Sequence, residues 1–140
     1  LTATASITTA DHAGRTLLMG EVGGDAAATF TLPAATGTGS VFKFVVSVVN
    51  TSNYLVKVAD ATDTIDGQIM ITDADGTAAT SFVTAAASDT ITLNGTTTGG
   101  GAIGDYVELI DIASNQYAVS GMVTCAAGSN IATMFSATVS

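Results

Sequence analysis

Thr90–Asp111, TITLNGTTTGGGAIGDYVELID, is the stretch whose reading decides the fold. Ile91 and Leu93 alternate with Thr90, Thr92 and Asn94, the period of two expected of a half-buried strand. A Thr/Gly-rich loop follows, and Asp105-Tyr106-Val107-Glu108-Leu109-Ile110 reads as a second strand, so a hairpin with a mobile loop is expected. The loop also contains Gly99-Gly100-Gly101-Ala102-Ile103-Gly104, which has the spacing of a dinucleotide-binding fingerprint. That fingerprint requires a strand leading into a helix whose N-terminus receives the pyrophosphate. The residues after Gly104 are strand-like instead, and basic side chains and a fitting acidic partner are missing. The nucleotide reading is therefore set aside.

The same alternation recurs elsewhere. Ile65, Ile69 and Ile71 fall on one face, opposite Asp66, Gln68 and Thr72. Thr, Val and Ile are spread through the chain and suit pleated strands better than helices. Pro33 is the only proline against 15 glycines, so turns rest on Gly, Asn and Asp. A single helical turn is expected near Thr9–Ala13, with Thr9 as N-cap and Gly14 as the stop. The expected fold is all-β: a single-domain antiparallel β-sandwich, jelly-roll-like or a related barrel, with about 9–11 short strands and no long helix. It spans residues 1–140 as one domain, with no linker or internal repeat.

Val41–Val49 departs from simple alternation. Phe42, Phe44, Val46 and Val48 form an expected core face, yet Val41, Val45 and Val49 make the other face largely apolar too. A strand covered on both sides reads this way. The second cover is either another subunit or a loop of the same chain.

At 140 residues the chain is long enough for a real core, burying about 68–70% of its unfolded surface. Arg15, Lys43 and Lys57 face twelve acidic residues, for a net charge of −9. Nucleic-acid binding needs clusters of Lys and Arg, so no nucleic-acid partner is expected. Anionic membrane surfaces are disfavoured for the same reason. The longest apolar run, Val41–Val49, contains Lys43 and falls far short of the ~20 residues that span a bilayer. Cys125 is the only cysteine, which leaves no intrachain disulfide and points to production in a reducing cytoplasm. The first fifteen residues lack the basic start and apolar run of a signal peptide. The start at Leu1 is expected to reflect processing or trimming.

Several clusters are candidate sites. Asp60, Asp63 and Asp66 recur every third residue, and Asp73-Ala74-Asp75-Gly76 follows. Oxygen ligands beside a Gly turn suit calcium, which makes Asp73 and Asp75 weak candidates, but the late bidentate Glu is missing. Asx turns capping strand ends are the expected role. His12 is the only histidine and lies in a polar segment without a nucleophile motif. Asp105, Glu108 and Asp111 offer carboxylates, although on one strand Asp105 and Asp111 project to the opposite side from Glu108. Asn50-Thr51-Ser52 and Asn94-Gly95-Thr96 match the glycosylation acceptor pattern and are taken as chance matches. Neither a catalytic set nor a cofactor is expected.

Three segments carry a resemblance: TLPAATGTGSVFKFVV (Thr31–Val46), VKVADATDTIDGQIMI (Val56–Ile71) and DTITLNGTTTGGGAIGDYVELIDI (Asp89–Ile112). With the leading ITTADHAGRTLLM and the closing MFSATVS, they resemble tailed-bacteriophage head proteins of the decoration, or cement, kind. The resemblance implies a non-enzymatic virion protein, made in the bacterial cytoplasm and bound to the capsid exterior, often as a trimer. Its partner would be the major capsid protein. On this reading Val41, Val45 and Val49 are expected at a subunit interface. Leu1–Thr9, including Leu1, Thr2 and Ala3, is a candidate arm for a neighbour's sheet edge. Similar β modules occur in phage fibres, so binding of host-surface glycans is the alternative.

Overall fold

The structure is a computed structural model that describes residues 1–21, 23–128 and 130–139. In chain order the elements are β1 (Ala5–Ser6), α1 (Thr9–His12), β2 (Thr16–Met19), β3 (Ala28–Thr31), β4 (Val41–Val46) and β5 (Tyr54–Lys57). They continue with β6 (Thr64–Asp73), β7 (Ala79–Val83), β8 (Thr90–Leu93), β9 (Tyr106–Ala113), β10 (Gln116–Cys125) and β11 (Phe135–Ser136). Two sheets pack face to face, one of five strands in the order β1-β3-β5-β8-β11 and one of six in the order β2-β4-β9-β10-β6-β7. The all-β sandwich expected from the sequence is the fold.

The sheets are mixed rather than purely antiparallel. β1 with β3, β3 with β5, β2 with β4, and β6 with β10 run parallel. From β1 to β6 the chain changes sheet at every strand, and β1 with β3, β3 with β5 and β2 with β4, each two apart in sequence, become neighbours with the same direction. Alternation reports which face of a strand is buried, and that pattern is the same for a parallel or an antiparallel neighbour. β8 and β9 lie in different sheets, so Thr90–Asp111 is a crossover between layers and not a hairpin. The hairpins are β6–β7 and β9–β10, the latter turning at Asn115 with φ 64°.

The core forms where the inward faces meet. Ile65, Ile69 and Ile71 on β6 are fully buried, as are Phe42, Phe44 and Val46 on β4. Phe30 on β3 stacks at 5.8 Å on Phe44 across the layers and at 6.0 Å on Tyr54 beside it. β4 ends at Val46 rather than Val49. The Ser47 N–H and hydroxyl (both 2.9 Å) and the Val48 N–H (3.2 Å) all donate to the Met19 carbonyl, which bends the chain away. Val48 consequently leaves the expected core face and is 41% exposed, while Val49 packs half-buried against the core. The helical turn is capped one residue earlier than expected, with the Thr8 hydroxyl accepting from the Asp11 N–H.

Candidate functional site

Asp105, just before β9, and Asp111, within it, face inward, while Glu108 between them points outward, as the alternation required. Six residues of extended strand put the two aspartates about 20 Å apart. Carboxylates that share a glycosidic bond sit within about 10 Å of each other. The two therefore serve opposite ends of the sandwich.

Asp111 is 3% exposed and gathers the Thr36–Thr38 loop. Its Oδ1 accepts the N–H groups of Thr36 (2.9 Å) and Gly37 (2.6 Å), and its Oδ2 accepts the N–H (3.0 Å) and hydroxyl (2.7 Å) of Thr38. Burial pushes its pKa up, but the donors from Thr38, Gly37 and Thr36 outweigh burial and hold it below the ordinary carboxylate value. Nearby, Asp63 is buried with its Oδ2 on the Ala35 N–H at 3.2 Å, and burial raises its pKa. Tyr117 closes this corner by donating to the Pro33 carbonyl at 2.8 Å, and burial with Asp111 and Asp63 nearby raises its pKa.

Asp105 organises the other end. Its Oδ2 accepts the N–H groups of Gly100 (3.0 Å), Ala102 (3.4 Å) and Thr124 (2.7 Å), tying the glycine loop to the end of β10. Burial raises its pKa, and these donors only partly offset it. The loop is pinned along its length rather than mobile. Asn94 Oδ1 accepts the N–H groups of Thr96, Thr97 and Thr98, and the Gly101 N–H reaches the Thr124 carbonyl at 2.8 Å. Gly99 has φ 94°, and a Cβ there would overlap the Val123 side chain. Gly99 and Gly101 thus serve close packing against β10 and Gly100 against Leu93 of β8, and the strand after Gly104 leaves no helix to receive a phosphate.

The remaining candidates are also tied into the scaffold. Asp73 accepts the Thr77 N–H (2.8 Å), the Ala78 N–H (3.0 Å) and the Thr77 hydroxyl (2.7 Å), and Asp75 accepts that hydroxyl at 3.1 Å. Both close the β6–β7 turn. Asp60 holds Thr62, Asp63 points inward, and Asp66 accepts from Gln116 Nε2, so the three diverge. Among the described residues no three His, Cys, Asp or Glu side chains cluster as a metal site. His12 Nδ1 accepts the Thr8 N–H at 3.0 Å within the helical turn. Cys125 is buried at the end of β10. Asn50 is buried and donates to the Ala26 carbonyl at 2.8 Å, and Asn94 is committed to its own loop. Asp89, not singled out by sequence, accepts the N–H groups of Thr138 (2.8 Å) and Val139 (3.1 Å).

The less expected feature is the outer face of the six-stranded sheet. Register places Leu18, Val45, Tyr106, Met122 and Met70 in one row crossing β2, β4, β9, β10 and β6. Leu18, Met122 and Met70 are each about half exposed (52%, 52% and 48%), so the row is an apolar band open to solvent. Val41 and Val45 lie on this face as expected, half-buried, with Lys43 between them. Val49, beyond the end of β4, does not join them. Leu1 packs against the core and its carbonyl accepts the Gly20 N–H at 2.9 Å, while Thr2 and Ala3 are exposed. Ala5–Ser6 pairs with the molecule's own β3, so Leu1–Thr9 lies along its own sandwich. The signal for the band was present in Met70 and Met122, apolar residues at positions that alternation assigns to solvent.

No protein-family profile, no curated protein and no solved structure matches this chain.

Proposed function

We propose that this protein is a structural assembly module, of the decoration kind that binds the outside of a phage head and clamps neighbouring capsid subunits. The observation that carries a structural role is the use of the buried carboxylates. Asp105 and Asp111 accept backbone donors from distant loops, and Asp89 does so from residues 138 and 139. A sandwich whose loops are pinned in this way presents fixed surfaces at little cost in ordering on binding. The resemblance of Thr31–Val46, Val56–Ile71 and Asp89–Ile112 supplies the capsid as the setting, and with it a homo-oligomer, a trimer in the family it resembles. Several identical contacts convert weak single attachments into a strong one through effective concentration. The acidic, low-charge surface suits an exposed virion component that must not adhere to polyanions.

Cosedimentation with expanded, DNA-filled heads tests the reading. Saturable binding at a fixed number of copies per head, with a rise in the temperature at which heads release DNA, is expected. Absence of binding to such heads at micromolar concentration overturns it. A glycan-binding fibre module is the second reading. It is favoured by Tyr106, a partly buried tyrosine bordering a depression that also contains Gln68, Ser81 and Ser120. Retention on immobilised host-surface glycans, lost in Tyr106→Ala, would select it.

A further inference from the structure

We propose that the outer face of the six-stranded sheet is a self-association surface, covered by a second copy of this chain. Three observations lead to this occupant. The first is charge. The chain carries −9, so a copy approaching most of its surface meets repulsion. On this face Lys43 and Glu108 stand opposite each other on β4 and β9, with the Lys43 ammonium 4.5 Å from the Tyr106 ring centre. The further carboxylate, Asp66, is held by Gln116 toward one end. The centre of the face is thus close to neutral and carries both signs, which a like-charged copy can match. A basic partner would instead be drawn to exposed acids outside it, such as Asp25, Asp60 and Asp75.

The second observation is extent. The six strands run from four to ten residues, and at about 3.3 Å per residue and 4.8 Å between strands they make a face of roughly 680 Å². That lies within the roughly 600–1,000 Å² that each partner of a stable interface buries. The third is relief. The half-exposed Met70 and Met122, with Tyr106, border two adjoining depressions on this face. Knobs and hollows carried side by side on one face can interlock with those of another copy, in a pair or in a closed ring. Methionine is the side chain best suited to fill such irregular gaps.

The test uses the purified chain alone, its mass followed by sedimentation across the micromolar range. The wild type is expected as an oligomer. Met70→Glu with Met122→Glu is expected to reduce it to the monomer, and so is Leu18→Lys at the far end of the row. Ala61→Glu, an exposed change outside the face, is expected to leave the oligomer intact. Thermal melts check that each variant remains folded, and the two face variants lie on different strands so that loss of one leaves the other. A wild type that is monomeric throughout, or an oligomer that survives both face variants, overturns the inference. Since no head is present, the outcome is separable from the decoration reading: a monomer that still binds heads removes this inference alone.

Discussion

Asp111 and Asp105 look alike in the sequence, but they bind their loops differently. Asp111 uses both oxygens for its five donors from Thr36, Gly37 and Thr38, whereas the three N–H groups at Asp105 converge on Oδ2. An amide keeps one acceptor oxygen and turns the other position into a donor. Asp111→Asn should therefore lose about 2–3 kcal/mol in urea denaturation at neutral pH, because an NH₂ would face N–H groups. Asp105→Asn should change stability by less than about 1 kcal/mol, its single oxygen retaining the donors. The pH dependences have opposite signs. Asp111 has a depressed folded pKa, so its contribution is present above the unfolded value of about 3.9 and is lost as pH falls through the folded value. Asp111→Asn should flatten that acid-side loss. Asp105 has a raised folded pKa, so its ionisation costs stability as pH rises from about 3.9 through the folded value. Wild type should accordingly gain on Asp105→Asn as pH is lowered toward 4, and equal pH profiles for the two proteins would refute this assignment.

At the scale of elements, strand positions were legible and strand partners were not. Ile65, Ile69 and Ile71, and Phe42, Phe44 and Val46, declare their buried face through alternation, which is local. Whether β9 follows β8 in the same sheet depends on what lies across the core, and nothing within Thr90–Asp111 encodes that. The end of β4 was missed for a related reason. The bend at Ser47 depends on Met19, a residue distant in sequence, offering its carbonyl to three donors. The carboxylates were readable as types but not as roles, because their loop partners sit up to 75 positions away. The glycine loop gives the element-scale prediction. Gly99→Ala must place a methyl into Val123 at a positive φ, so a loss of about 2–4 kcal/mol is expected, measured as a lower denaturation midpoint. Gly104→Ala, where a Cβ meets open space, carries only the cost of its φ of 97° and should lose less.

For the whole molecule, the two layers are joined most directly by Phe30 stacking on Phe44. Phe30→Ala should cost about 3–5 kcal/mol, a large part of the roughly 5–15 kcal/mol that such domains possess, and should appear as a sharp fall in melting temperature. The other long-distance join is the ten-residue parallel ladder between β6 and β10. β10 sits between β9 and β6, so the six-stranded sheet cannot close until the ribosome has delivered residues through Cys125. Until then β6 leaves the exit tunnel with Ile65, Ile69 and Ile71 on one side and an unfilled backbone edge along its length, the kind of surface that recruits stray strands. Long-range pairing of this sort is slow to form. The yield of this protein in a cell should therefore depend on the race between elongation and misassociation during synthesis, and slower translation between β6 and β10 should lower the soluble fraction without altering the stability of molecules that finish folding.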